Sequence, residues 1–193
     1  MIIFGASGHG KVVLSSCSED VSFFFDDNEQ LKIFKGLEVA PYSADKSSES
    51  KVVVAVGNNK IRKKIVRKVK HAFCTVVDKS SLVDSSVVVG EGSQLLHGCI
   101  LQSDASIGKH VIVNSGASVD HDCTINDYCH VAPGAVLCGS VSLGEGTMIG
   151  AGATIIPGVK IGEWCTIGAG AVVIEDLPDN CIAVGNPARI IRK

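Results

Sequence analysis

LLHGCILQSDASIGKHVIVNSGASVDHDCTI, residues 95–125, decides the fold. Leu95, Leu101, Ile107, Val113, Val119 and Ile125 fall at every sixth position. Followed both ways, the register begins at Val83 and Val89 and runs through Val131, Leu137, Leu143, Ile149, Ile155, Ile161 and Ile167 to Val173 without a miss. The position four residues on is small or β-branched, as at Cys99, Ala105, Val111, Ala117, Cys123, Cys129, Ala135 and Cys165. The residue directly after the aliphatic one is often Gly, Asn or Asp, as at Gly90, Gly108, Asn114, Asp120 and Gly144.

A period of six fits neither a helix near 3.6 nor a hairpin strand of period two. It is the hexapeptide signature of a parallel β-helix. Each hexad makes one short side and one corner of a prism, the aliphatic side chain points inward, and three sides close a coil of about 18 residues. The Gly, Asn and Asp after the aliphatic residue are expected to supply the unusual backbone angles of the corners.

Composition fits this core and bounds the function. Aliphatic residues are abundant and aromatic ones scarce, at 5% of 193 residues. A net charge of −2 gives no argument for nucleic acid. The start, MIIFGASGHG, lacks a signal peptide's basic and apolar regions, and no stretch approaches the roughly 20 apolar residues of a membrane span. The expectation is a cytoplasmic protein with no membrane insertion. No two of the eight cysteines form CxxC. Four of them occupy the small slot of a hexad, which reads as reduced thiols in the core rather than disulfides or zinc ligands.

The first 78 residues have a different pattern. Met1–Gly5 is a short apolar strand leading into GASGHG, and a helix is expected over about residues 9–17. VSFFFDD is a second strand ending in Asp26 and Asp27, and LKIFKG is a possible short strand. KVVVAVG (51–57) is β-branched and reads as a buried parallel strand. Asn58 or Asn59 caps a helix, IRKKIVRKVK, whose Ile61, Ile65, Val66 and Val69 have helical spacing. The order is βαβ, and the expectation is a small α/β Rossmann-like domain over residues 1–78, followed by the β-helix and its tail over 79–193.

GASGHG lacks the GxGxxG spacing, since its glycines fall at 5, 8 and 10. It reads either as a tight structural turn or as a phosphate site where backbone N–H groups meet a helix N-terminus. Asp26 and Asp27 should lie at the same sheet edge, where acceptor carboxylates suit a ribose or a base edge. The tail residues Arg189, Arg192 and Lys193 follow a Gly-Asn-Pro turn and read as a solvated terminus or a phosphate contact.

A filled prism leaves function to its outer faces. Flat sides pack against each other, and three prisms around an axis create clefts, so a homotrimer is expected. His121 stands between Asp120 and Asp122, and His130 follows nine residues later. Val119 and Val131 point inward, which places both histidines on or near the surface. A flanking carboxylate orients a neutral imidazole and raises its basicity, so His121 is the candidate general base. For His130, ligand contact and an ordinary surface histidine both stand. His97, His110, His121 and His130 show no HxxxxH spacing, and no metal is expected. Nothing near Cys138 marks an activated thiolate.

The hexads, the VDHDC histidine and the terminal GNPAR resemble the left-handed β-helix acyltransferases. With GASGHG, FFDD, AVGNNKIRKKI and the later His130, the chain is similar over essentially its whole length to a narrower group, the sugar acetyltransferases. That group includes bacillosamine-pathway and perosamine N-acetyltransferases and sialic acid O-acetyltransferases. The resemblance implies a left-handed β-helix, acetyl-CoA as co-substrate and a UDP-sugar as acceptor. It makes His121 the catalytic base and puts Asp122 where the bacillosamine enzymes carry Glu. It places Ser7, Gly8, His9, Asp26, Asp27, Gly57 and Lys60 at the UDP-sugar. It places His130, Ala151 and Ala169 at acetyl-CoA, with the Gly139 N–H facing the thioester. The implied reaction is acetylation of the C4 amine of a UDP-linked 4-amino-4,6-dideoxy sugar. Sialic acid O-acetylation and GDP-perosamine N-acetylation are the alternatives within the group. A nucleotide-sugar-binding scaffold and a metal-dependent hydratase are rivals outside it.

Overall fold

The structure, a computed structural model, describes residues 1–192, so Lys193 of the basic tail lies outside the described residues. The N-terminal part holds β1 (Ile2–Phe4), α1 (Gly8–Ser16), β2 (Phe23–Phe25), β3 (Ile33–Phe34), β4 (Leu37–Ala40), β5 (Val52–Val54) and α2 (Asn59–Lys68). Its sheet has the order β3-β4-β2-β1-β5, parallel except for the β3–β4 hairpin. β1, β2 and β5 are apolar on both faces because both faces are covered. Ile3, Phe24 and Val53 pack with Val13 of α1 and with Leu96 and Ile112 of the prism, while Phe4, Phe25 and Val54 pack with Ile65 and Val69 beside α2. The sequence reading missed β4. Its hairpin turns at Lys35 and Gly36, both at positive φ, as a tight two-residue turn requires.

The prism has three parallel sheets. The first carries Val76–Val77, Gln94–Leu95, Ile112–Val113, His130–Val131, Met148–Ile149, Thr166–Ile167 and Ile182–Val184, with Arg189–Arg192 added antiparallel. The second runs from Leu82–Val83 through Ser118–Val119 and Val136–Leu137 to Val172–Val173. The third runs from Val88–Val89 through Thr124–Ile125 to Lys160–Ile161. Up to Val173, paired strands are 18 residues apart, as in Ser118 against Val136. From Leu95 to Val173 the aliphatic positions are buried in one continuous core, together with Cys99, Cys123, Cys129 and Cys165. Among the described residues no cysteine is joined in a disulfide. The small slot also takes polar atoms where the next coil offers partners: Thr147 Oγ1 donates to Gly162 O at 2.7 Å and accepts from Cys165 N at 3.0 Å. Val83 and Val89, in the first coil at the open end of the prism, are only partly covered.

The corner chemistry differs from the sequence expectation. The left-handed residue is the third after the aliphatic one, not the first, as at Gly116, Asp122, Gly134, Ser140, Gly152 and Trp164. The first-position glycines serve close approach between coils. A Cβ on Gly108 would meet Asp127 Oδ1 at 2.5 Å, and one on Gly144 would meet Glu163 N at 2.5 Å. Absence of a side chain, rather than backbone freedom, selects glycine there.

The N-terminal domain docks on the first sheet. Outward-facing Gln94 is fully buried and donates from Nε2 to Val54 O at 3.0 Å. Arg62 of α2 is also fully buried. Its guanidinium donates to Val56 and Gly57 carbonyls in its own domain and to those of His110, Tyr128 and Cys129 in the prism. The apolar reading of this helix is corrected at its first turn: Ile61 is 52% exposed, and Arg62 faces inward.

Candidate active site

His121 and Asp122 form the corner that joins the second and third sheets. Neighbouring coils bracket this turn, since Asp122 N donates to Ser103 O and Ser140 N donates to His121 O. Asp120 Oδ1 accepts the His121 N–H at 2.8 Å. His121 Nδ1 lies 2.7 Å from Asp122 Oδ2. The carboxylate accepts the Nδ1 proton, which leaves Nε2 as the free lone pair. The bond to Asp122, with the charge of Asp120 behind it, raises the imidazole pKa. Asp122 stands at φ +58°, a region that asparagine and aspartate enter more readily than most residues.

Gly139 lies one coil further along the same corner. A Cβ there would stand 2.6 Å from His121 Nε2. Amides on either side are used, Cys138 N by Ile155 O and Ser140 N by His121 O. The Gly139 N–H meets no acceptor among the described residues, so one free backbone donor lies beside the free imidazole nitrogen. Ala151 and Ala169 are exposed on a different corner, between the first and second sheets. The second sheet therefore separates them from His121 within one chain.

The N-terminal candidates collect at the carboxyl edge of the domain's sheet. Ser7 is the N-cap residue of α1, its side chain makes no capping bond, and Ser7 and Gly8 are exposed. Gly5 (φ +119°) and Gly10 carry the structural load of GASGHG: a Cβ on Gly5 would meet Ala55 O at 2.7 Å, and one on Gly10 would collide with Gly5 O. The structural-turn reading of the motif thus holds for Gly5 and Gly10, and Ser7 and Gly8 are left open at the surface. His9 Nε2 bonds Gln94 Oε1 at 2.8 Å, and burial lowers its pKa. Asp26 differs from expectation. Its oxygens accept Ala6 N at 2.7 Å and Asn28 N at 2.9 Å, so it braces the loop. Asp27 is exposed and pairs with Lys68 at 3.0 Å. Gly57 and exposed Lys60 line a cavity of about 300 Å³ with Asn58, Met148, Trp164 and Thr166.

His130 is a correction. The inward Val131 leaves its neighbour facing out of the prism, but the N-terminal domain covers that face, so His130 is buried. Nδ1 meets Gly57 O at 3.1 Å and Nε2 meets Asn114 Nδ2 at 3.1 Å. Burial, with Arg62 nearby, pushes its pKa down to about 4. Both ring nitrogens are therefore committed within the chain. Sequence reasoning also missed Arg62 and Trp164. The only signals available were a cation within an amphipathic helix and a lone Trp in a prism built of small residues.

A parallel β-helix carrying an imidazole–carboxylate pair at an exposed corner, with a small α/β domain on one face, defines a hexapeptide-repeat acyltransferase with a Rossmann-like module. Residues 1–69 match the PglD N-terminal domain, and residues 104–139 and 140–175 match the bacterial transferase hexapeptide (six repeats). Over its whole length the chain is 36% identical to a histidine-to-asparagine variant of perosamine N-acetyltransferase from Caulobacter crescentus, solved with CoA and GDP-perosamine. The TM-score is 0.95, and 96% of that chain is covered. The acetyltransferase domain of PglB from Neisseria gonorrhoeae FA1090, solved with acetyl coenzyme A, is 32% identical, with 98% of each chain covered and a TM-score of 0.90. A UDP-N-acetylbacillosamine N-acetyltransferase from Bacillus subtilis (strain 168) is 39% identical over 107 residues, 49% of this chain. That match spans about half the length of the curated relative, 50%. The chain belongs to the sugar acetyltransferase family of left-handed β-helix acyltransferases.

Proposed function

We propose that the protein transfers an acetyl group from acetyl-CoA to the C4 amine of a UDP-linked 4-amino-4,6-dideoxy sugar. The observation that carries the reading is the His121–Asp122 pair, with a free Nε2 beside the unused Gly139 N–H. His121 Nε2 takes a proton from the attacking amine, and Asp122 holds the imidazole and balances its charge. The new C–N bond forms at the thioester carbonyl, whose oxyanion accepts the Gly139 N–H. The C–S bond then breaks, and the CoA thiolate takes up the proton from His121. No acyl-enzyme forms. Ser7, Gly8, His9, Asp27, Gly57 and Lys60 surround the nucleotide sugar, with Asp26 bracing the loop from behind. His130 holds the Gly57 loop in place.

The working unit in this reading is a homotrimer. The second sheet presents Leu82, Ile100, Ser118, Val136, Thr154 and Val172 outward, a face without a charge, and Leu82 is 65% exposed in the single chain. Packing these faces around an axis brings the His121 corner of one prism to the Ala151–Ala169 corner of the next. The acetyl-CoA groove lies between them, flanked by the N-terminal domain on the adjoining first sheet.

A GDP-linked amino sugar is the second reading, favoured by the full-length similarity to the perosamine enzyme. The test is thiol release from acetyl-CoA with a UDP-linked 4-amino sugar, a GDP-linked 4-amino sugar and free sialic acid. Release with the UDP sugar alone is expected. Release with the GDP sugar alone would replace the acceptor, release with sialic acid alone would make the enzyme an O-acetyltransferase, and silence with all three would reject the reaction.

A further inference from the structure

Trp164, the chain's one tryptophan, stands at the corner between the third and first sheets. Its φ is +53°, an unusual backbone state for so large a residue. The ring has room because the coil below carries glycine: a Cβ on Gly146 would meet Trp164 Cζ3 at 2.5 Å. Facing it, α2 carries Lys60, Lys63, Lys64 and Arg67, spaced three and four apart, and therefore on one helix face. Together with Asn180, these residues line a cleft of about 510 Å³, within the size range of small-molecule sites.

The charges in this cleft are largely uncompensated. Lys63 is paired with Glu145 and lies over the Tyr128 and Trp164 rings at 5.3 and 5.2 Å. Lys60, Lys64 and Arg67 have no carboxylate partner among the described residues. Glu163, the chain neighbour of Trp164, is not part of the lining. Like charges held along one helix face repel one another, and an anion would relieve that repulsion. An indole face beside several cations suits an aromatic anion: the base stacks on the ring and the phosphates meet the cations. This corner is not one of the two that flank the second sheet, so the cleft lies apart from His121 and Gly139.

We propose that the cleft between α2 and Trp164 binds a nucleotide carrying a diphosphate, with its base on Trp164 and its phosphates on Lys64 and Arg67. The proposal does not depend on which acceptor the enzyme uses. Its cavity shares Lys60 and Trp164 with the Gly57 cavity, so nucleotide held there would sit beside the acceptor pocket.

The test uses the full-length protein, with UDP and inorganic pyrophosphate as probes, read by Trp164 fluorescence and by calorimetric stoichiometry. The Lys64→Glu/Arg67→Glu double variant is the control, since neither residue belongs to the acetyl-transfer site. Pyrophosphate should bind the wild type roughly tenfold or more tightly than the variant, and more weakly as salt rises. UDP should bind at one more site per chain in the wild type than in the variant, with acetyl transfer unchanged. Equal pyrophosphate binding by both proteins would overturn the proposal. So would loss of acetyl transfer in the variant, which would merge the cleft with the acceptor site. Binding to anionic vesicles without affinity for pyrophosphate would also overturn it and point to a membrane surface.

Discussion

The imidazole of His121 rests on the backbone of Gly139, with Nε2 and Cε1 each 2.6 Å from where a Cβ would stand. Gly139 is not at positive φ, so alanine is allowed by the backbone and excluded only by the ring. The ring is exposed and can swing away, so Gly139→Ala should leave the thermal midpoint within a few degrees of wild type. It should lower kcat by about 10²-fold, the scale of a displacement near 1 Å at a reacting group. Unchanged kcat would show that the His121 position is not critical.

Removing the base gives the larger effect. His121→Ala should reduce turnover by about two to four orders of magnitude with acetyl-CoA binding preserved. Because Asp122 and Asp120 raise the His121 pKa, the acid limb of kcat/KM should fall above the ordinary histidine range. Asp122→Asn removes the main cause, so the limb should move to lower pH while kcat drops. Asp122→Gly should lose the same activity while relaxing the left-handed backbone, and should not be less stable than Asp122→Asn. A pH profile identical in wild type and Asp122→Asn would separate the carboxylate from the base.

The prism was legible because its inward positions repeat every six residues and each depends on contacts 18 residues away, which the period itself encodes. The His121 site was legible for a related reason: Val119 fixes the register, and the carboxylates are its sequence neighbours. His130 was misjudged because its environment is supplied by Gly57 and His9, far away in the chain. Arg62 was hidden likewise. Its partners are backbone carbonyls, which leave no trace in side-chain patterns. The corner glycines were misassigned because a spacing cannot tell a positive φ from a close approach.

The domain contact should be acid-sensitive. Burial pushes His110 and His130 down to about 4, so both are neutral in the folded chain near neutrality. In the unfolded chain they take up protons near the ordinary histidine value of about 6.5. The unfolded state therefore binds more protons between those limits, and stability falls as pH drops through that window. Each histidine should contribute on the order of 1–3 kcal/mol. Urea midpoints from pH 7.5 to pH 4.5 should show this slope, and His130→Asn should flatten it. A slope that His130→Asn leaves intact would place the acid sensitivity elsewhere.

Arg62 holds that contact together. Truncation to alanine leaves the Val56, His110 and Tyr128 carbonyls without a donor, and each buried acceptor left unsatisfied costs about 1–3 kcal/mol. Lysine restores the charge but not the planar fork, so Arg62→Lys should recover only part of the loss. Equilibrium unfolding measures the loss, and limited proteolysis of the 69–75 connection should report a loosened domain in Arg62→Ala. Full recovery by lysine would mean that charge alone matters.

The second-sheet face provides the test of assembly. Val136 is 38% exposed in the single chain and lies beside Leu137 on the strand that leads to Gly139. Val136→Lys places a charge at the centre of the proposed interface, where it has no partner and must be desolvated. The side chain points away from the prism core, so the monomer should keep its fold and its circular dichroism. Sedimentation should then show trimer for the wild type and monomer for the variant, and acetyl transfer should fall in parallel although His121, Asp122 and Gly139 are untouched. The two readouts distinguish the alternatives. Loss of both places the acetyl-CoA groove between subunits, whereas a fully active monomer would confine the reaction to a single chain and leave Ala151 and Ala169 without a part in it.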